Sequence, residues 1–422
     1  MMSRCLGTSL KITFPIRGEM NDKANQIHCP IKGPYDFEPC DSKEVTPLVE
    51  FLESNQPVES PIEFPRGTML PDGRLDLCKQ DLGPDGCLRV AQAMSRNRHV
   101  KSLLLGTDGI GDEGASSVAD LIRQNDSLQI VYLGCNSITA EGAASLSDAL
   151  KENESVRGLW LKRNPIGDEG VMAIAELLKA NSHLEVLDLV NTGIGKPGLA
   201  ALLNVLERKD CGVRRLYLGG NNLDAADAVS IAKSLAKSGT IESLMLGVNF
   251  LGDAGAISIA ELLPHCPALR ELGLASNGIE TSGTAALCSA IRGHPKLVYF
   301  DLGFAPSTKV LGAAGNVPGN DGFQSILKLV SANSSMRRLN LRGICITDHD
   351  KEQLGVAMQS NTNLVSLIVD GRLPQAISDR LIQNLDQSPQ CNDAPEEVRL
   401  IRSVYRTATK RALTVGFNTK ES

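Results

Sequence analysis

Three short stretches carry the side chains and backbone groups with the most chemistry to offer. The run GTDGIGDEG (106–114) has the glycine density of a loop that could cradle phosphate through its N–H groups. The same run returns as NPIGDEG (164–170) and NFLGDAG (249–255), which marks it as a recurring turn into a helix, and the chain contains no G-x-x-x-x-G-K-[ST] motif. Eleven cysteines and six histidines form the second set. The cysteines are odd in number, scattered and without a C-x-x-C pair, a pattern of reduced thiols rather than a disulfide framework or a zinc site. His99, His183, His265 and His294 fall in equivalent turns, and no nucleophile has a His partner that the pattern would bring to it. The third stretch is GLWLKRNPIGDEG (158–170), which holds the single tryptophan, Trp160, followed by Lys162 and Arg163. None of these is a catalytic constellation, so the expectation is a protein without enzymatic activity, cofactor or metal.

Composition narrows the partners. A formal net charge of -6, from 43 basic and 49 acidic side chains, lacks the basic footprint of a general nucleic-acid binder. No apolar run reaches the eighteen or so residues of a membrane span, and none reads as a signal peptide. A monomeric cytoplasmic protein is expected, with the nucleus as an alternative. The first eighteen residues carry Arg4, Lys11 and Arg17 and no acid, so a mitochondrial presequence is the other alternative.

The elements that position Trp160 follow from an internal repeat. The apolar positions Leu77, Leu105, Leu133, Leu161, Leu189, Leu218, Leu246, Leu274, Leu302, Leu341 and Val369 are 28 residues apart, except for one interval of 29 and one of 39. Around each lies the pattern L-x-x-L-x-L-x-x-N-x-L, complete in VRGLWLKRNPI and IESLMLGVNFL. The second half of each unit has apolar residues three and four apart, as in EGVMAIAELLKANSHL, which is helical spacing. A second asparagine column (Asn97, Asn125, Asn153, Asn181, Asn333 and Asn361) reads as a left-handed helix C-cap.

Eleven such units resemble the ribonuclease-inhibitor type of leucine-rich repeat, the class also found in Ran GTPase activators and NOD-like receptors. The resemblance implies an α/β horseshoe, a solenoid with a concave parallel β-sheet and convex helices, over residues 73–390. It implies a non-enzymatic scaffold that holds a protein partner on its concave face, as an inhibitor or recruiter. A GTPase-activating regulator of a Ran-like small GTPase and an immune-type sensor or receptor component are the alternatives. The basic end RTATKRALTVGFNTKES departs from the acidic tail of the Ran activators, and the NOD-type nucleotide module is absent from the sequence.

Strand side chains alternate, so the residue between the paired leucines faces the concave surface. That column reads Asp76, Leu104, Tyr132, Trp160, Asp188, Tyr217, Met245, Gly273, Asp301, Asn340 and Ile368. The scaffold requires nothing large there, yet Leu104, Tyr132, Trp160, Tyr217 and Met245 cluster in units two to seven. With neighbouring strands about 5 Å apart they would form a ladder roughly 25 Å long. Lys162, Arg163, Asp188 and Arg215 flank it, and Gly106, Gly134, Gly219 and Gly247 would leave the aromatics standing free. An exposed apolar patch of this kind points to a protein-binding surface.

The ends and the long interval complete the division. Residues 1–44 read as an irregular leader, and 45–72 as an N-terminal cap of helix and strand with a Pro-Asp-Gly turn. Residues 391–422 read as a C-terminal cap helix and tail, with Arg399, Arg402, Arg406 and Lys410 on one face. The 39-residue interval contains eleven extra residues, an insertion near 304–314 that should leave the sheet as a rim loop, able to grip a partner or to be modified at Ser307 or Thr308.

Overall fold

The computed structural model describes residues 38–333, 335–387 and 395–405. The leader 1–37 and the tail beyond 405, including Arg406 and Lys410, lie outside the described residues.

Among the described residues thirteen strands form one sheet in strict sequence order. Strands β1 (Ile62–Glu63) and β2 (Thr68–Met69) pair antiparallel with each other, and β2 pairs antiparallel with β3 (Arg74–Asp76) through the Pro71–Gly73 turn. The rest are parallel: β4 (Ser102–Leu104), β5 (Ile130–Tyr132), β6 (Gly158–Trp160), β7 (Val186–Asp188), β8 (Arg215–Tyr217), β9 (Ser243–Met245), β10 (Glu271–Gly273), β11 (Tyr299–Asp301), β12 (Arg338–Asn340) and β13 (Ser366–Ile368). The repeat register holds throughout. Leu75 faces Leu103, Leu103 faces Val131, and the 39-residue interval still aligns Phe300 with Leu339.

A helix follows each parallel strand and packs against its neighbours, from Gly83–Met94 to Gln375–Gln387. A helix is wider than a strand, so the stack curves with the sheet inside: a leucine-rich-repeat horseshoe that does not close. One continuous core runs through it, built from the middle residue of the parallel strands, the residue just beyond the strand's end and the inner helix faces. Helix Ser42–Ser54, capped by Asp41, covers the first unit, and Arg66 ties the hairpin to it through Glu44 at 2.8 Å.

The two polar columns are buried, apart from the partly covered Asn153, and serve the scaffold. Asn164 donates from Nδ2 to the carbonyls of Leu133 and Leu161, and Asn249 to those of Leu218 and Leu246, so each asparagine bridges two units. The second column does not cap helices in the left-handed region: Asn125 and Asn181 are extended, with φ of -119° and -116°. Their side chains act instead. Asn181 donates to the carbonyls of Leu150 and Asn153 in the preceding unit and accepts from the N–H groups of His183 and Leu184. His294 does the same work in its unit, with Nε2 3.1 Å from the Cys266 carbonyl and Nδ1 accepting from Lys296 and Leu297. Burial holds its pKa below the ordinary histidine value.

The glycine-rich turns also find their use here. Gly111 and Gly167 open helices at φ of 59° and 60°, where a side chain would be strained. The acid that follows staples the next unit: Asp168 accepts from the N–H groups of Gly195 and Gly198, and Asp112 from those of Thr139 and Gly142. The helix N-termini at Thr139–Gly142 and Gly195–Gly198 thus hold a carboxylate in the place a phosphate would take.

The insertion leaves the sheet after Leu302 and folds back over earlier units. Ala305 N–H and Thr308 Oγ1 both bond Ser276 Oγ, and a Cβ placed on Gly220 would stand 3.0 Å from Leu311. Thr308 is buried, which removes it as an accessible modification site, while Ser307 is partly exposed.

Candidate functional site

The concave surface carries two side-chain columns, from the first and third residues of each three-residue strand. The third column places Leu104, Tyr132, Trp160, Asp188, Tyr217 and Met245 side by side in register, as the repeat requires. The aromatics do not stand free. A Cβ on Gly158 would lie 2.4 Å from the Trp160 ring, so the indole lies flat along its own strand in the space this glycine leaves. Tyr132 lies in the same way over Gly106 and Gly134, and Met245 over Gly273.

The expected exposure of this face is overturned. Leu104 is 0 % exposed, Trp160 1 %, Asp188 5 % and Arg215 9 %, while Tyr132, Lys162, Arg163, Tyr217 and Met245 are partly covered. Over Trp160, Tyr132, Tyr217 and Arg215 the cover is the chain's own C-terminal segment. Instead of a cap helix against the last unit, the segment forms one helical turn, Glu396–Arg399, and then crosses the sheet toward its N-terminal edge as far as Tyr405. Leu400 packs into a cluster with Ile130, Trp160 and Val186, bordered by Tyr132, Tyr217 and Ile401, and this cluster is separate from the solenoid core. The free energy of hiding Leu400 and the indole from water outweighs what further helical turns would contribute, since an isolated surface helix is marginal.

Polar contacts fix the segment at both ends. Arg215 Nε donates to Glu397 at 2.8 Å, and its Nη1 donates to Glu271 at 2.7 Å. Burial opposes the Arg215 charge, but Glu271, Tyr217 and Glu397 more than offset it and raise its pKa. Ser102 Oγ donates to the Leu400 carbonyl at 2.8 Å, and Arg74 to the Arg402 carbonyl. Asp76 accepts from Ser403 Oγ at 3.1 Å and from Val404 N–H at 2.6 Å, and burial still pushes its carboxyl above the ordinary range. Lys79 Nζ bonds the Tyr405 carbonyl, and the Tyr405 hydroxyl meets Thr68 at 2.6 Å. Cys78, beneath these residues, is buried, and burial raises its thiol well above the usual value.

Lys162 reaches back over the Tyr132 ring, 5.0 Å from its centroid, in a cation–π contact. Burial pushes the Tyr132 hydroxyl up to about 12, against the pull of Lys162. Arg163 sits at φ 59° and donates its N–H to the Val190 carbonyl, so its backbone serves the turn. Asp188 accepts from Val190 N–H, and burial raises its pKa.

The first column supplies residues that the repeat pattern did not single out: Arg74, Ser102, Ile130, Val186 and Glu271. Alternation alone would have found them, since residues two apart on a strand share a face. Toward β13 the same columns turn polar. Glu271 bridges Arg215 and Arg338, and Arg338 lies 4.9 Å from the Tyr299 ring centre. Among the described residues no group of three or more His, Cys, Asp or Glu could hold a metal, and no helix is long and apolar enough to cross a membrane.

The family model described as Leucine Rich repeat matches residues 124–147, 152–175 and 180–203. No curated protein sequence matches the chain. Similar solved structures include LegL7, a leucine-rich repeat-containing protein from Legionella pneumophila, at 15% identity over 72% of this chain and 95% of that one, with a TM-score of 0.43. The yeast Rad7–Elc1 complex is similar at 16% identity over 64% and 68%, with a TM-score of 0.40. The C-terminal domain of tropomodulin from Caenorhabditis elegans is similar at 15% identity over 45% and 94%, with a TM-score of 0.29. The family-model match gives the chain leucine-rich repeats over those residues, and the strand–helix register, which recurs every 28 or 29 residues from β3 to β10, carries the same pattern along the sheet in an arrangement similar to the ribonuclease-inhibitor type.

Proposed function

We propose that this chain is a non-enzymatic protein-interaction scaffold whose partner face is the concave sheet from β3 to β8. Leucine-rich repeat proteins generally act as interaction scaffolds, which supports the coarse reading. The finer reading rests on one observation: a peptide segment already occupies this stretch, with its leucine seated between Ile130, Trp160 and Val186 and its acid on Arg215. A surface that holds one segment through an apolar seat and a desolvated ion pair has the makeup of an interface hot spot. Leu104, Tyr132, Trp160, Lys162, Arg163, Asp188, Arg215, Tyr217 and Met245 are the partner-binding residues in this reading. Trp160→Ala with Tyr217→Ala should abolish partner capture from native lysate while the repeat array keeps its cooperative melt, because the Trp160 cluster is separate from the solenoid core. Undiminished capture by the folded double variant would refute this assignment of the face.

A further inference from the structure

The segment that covers the concave face is held by chemistry that any peptide with the same few groups could supply. Four of its contacts are to main chain: Ser102 to the Leu400 carbonyl, Arg74 to the Arg402 carbonyl, Lys79 to the Tyr405 carbonyl, and Asp76 to the Val404 N–H. Main-chain contacts of this kind grip a peptide irrespective of its sequence, while pockets select side chains. Two sites here select: Arg215 takes a carboxylate, and three residues further on the Ile130–Trp160–Val186 seat takes an aliphatic side chain. Asp76 then asks for hydrogen-bond donors, met by Ser403 Oγ and Val404 N–H.

Emptying the groove would leave a buried arginine with one of its two carboxylates, an aspartate without two of its donors, and an indole facing water. Each is costly, so the face favours an occupant. The resident segment is tethered, and a tethered ligand competes at an effective concentration in the millimolar range.

We propose that the concave face from β3 to β8 is a peptide-binding groove closed in cis by residues 396–405. Its partner, in this proposal, presents an acid, a leucine-like residue three positions later and a donor-bearing residue three positions after that. The proposal rests on the scaffold reading above and adds to it the chemistry of the partner and the means of its exclusion. A partner segment with these groups displaces the resident one, and the exposed solenoid is the binding-competent state.

The test uses a fluorescein-labelled synthetic peptide of residues 395–406 as probe and the full chain as receptor. The peptide should bind the chain carrying Glu397→Arg and Leu400→Asp at least ten-fold more tightly than the intact chain, whose own segment competes. Adding Arg215→Glu to a receptor released by Leu400→Asp alone should remove binding, and a peptide carrying Glu397→Arg should restore it. A peptide carrying Leu400→Asp should not bind. Equal affinity for intact and released chains, or failure of the charge-swapped pair to recover, overturns the proposal. A dimeric intact chain in light scattering overturns it as well, because the occupant would then be a second copy's segment. If the double variant melts early, the single Glu397→Gln receptor gives the same comparison at smaller amplitude. If no peptide binds while Trp160→Ala and Tyr217→Ala still abolish partner capture, this proposal falls and the scaffold reading stands.

Discussion

The two halves of the concave sheet share one backbone and differ in what lies on it. From β3 to β8 the columns hold Ile130, Tyr132, Trp160, Val186 and Tyr217, and the chain's C-terminal segment packs on them. From β10 to β12 they hold Glu271, Tyr299, Asp301 and Arg338, which pair among themselves, and Asn340, which accepts from the Arg342 N–H; all stay partly open apart from the buried Glu271. Among the described residues the polar contacts of 396–405 fall on β2 to β8 and the loops beside them. Position in a regular array therefore sets where a side chain points, and the variable columns decide which stretch needs a cover.

The largest effect expected on stability is in the scaffold under both halves. Leu159→Ala removes a fully buried core side chain beside Trp160 and should cost about 2–5 kcal/mol in denaturant unfolding, whether or not the concave face is covered. A loss this large from Leu400→Asp instead would show that the covered half and the solenoid are a single core. The next effect is local. Releasing the segment with Leu400→Asp should raise the alkylation rate of Cys78 by at least ten-fold at pH 8, read residue by residue by mass spectrometry. Cys87 and Cys288, whose thiols burial pushes up to about 12 under the helices, should stay protected. Equal protection of Cys78 before and after release would mean the segment does not shield it. Smaller still is the change in the open half. Arg338→Gln removes one of the two cations on Glu271 and should cost within about 1 kcal/mol, as for other partly exposed ion pairs, leaving Cys78 labelling unchanged. Deleting 304–314 should likewise leave Cys78 labelling as it is, since the insertion packs on the rim near Ser276 and Gly220.

Much of this was legible before the structure. The leucine column determined the register, so Trp160 and its neighbours fall where expected, and the Pro71–Gly73 turn joins β2 to β3. What covers Trp160 was not legible, because Leu400 lies outside the repeat and no periodicity links it to a residue so far back in the chain. The described stretch PEEVRLIRSVY has helical spacing, yet only Glu396–Arg399 of it is helix, since seating Leu400 on the indole outweighs propensity. Ile130 and Val186 were missed because the repeat pattern treats their column as free. The second asparagine column was found at the right positions with the wrong mechanism: Asn181 works through its side-chain amide, and its backbone never enters the left-handed region.

Trp160 is the only tryptophan in the chain, so its fluorescence reports on the central claim without labelling. In the intact chain the emission should be blue-shifted and protected from iodide, as befits an indole 1 % exposed beneath Leu400. In the Leu400→Asp chain it should shift to the red and become quenchable, with the unfolding transition of the repeat array retained. An indole equally shielded with Leu400 replaced would contradict the account, because the cover would then be something other than the chain's own C-terminal segment.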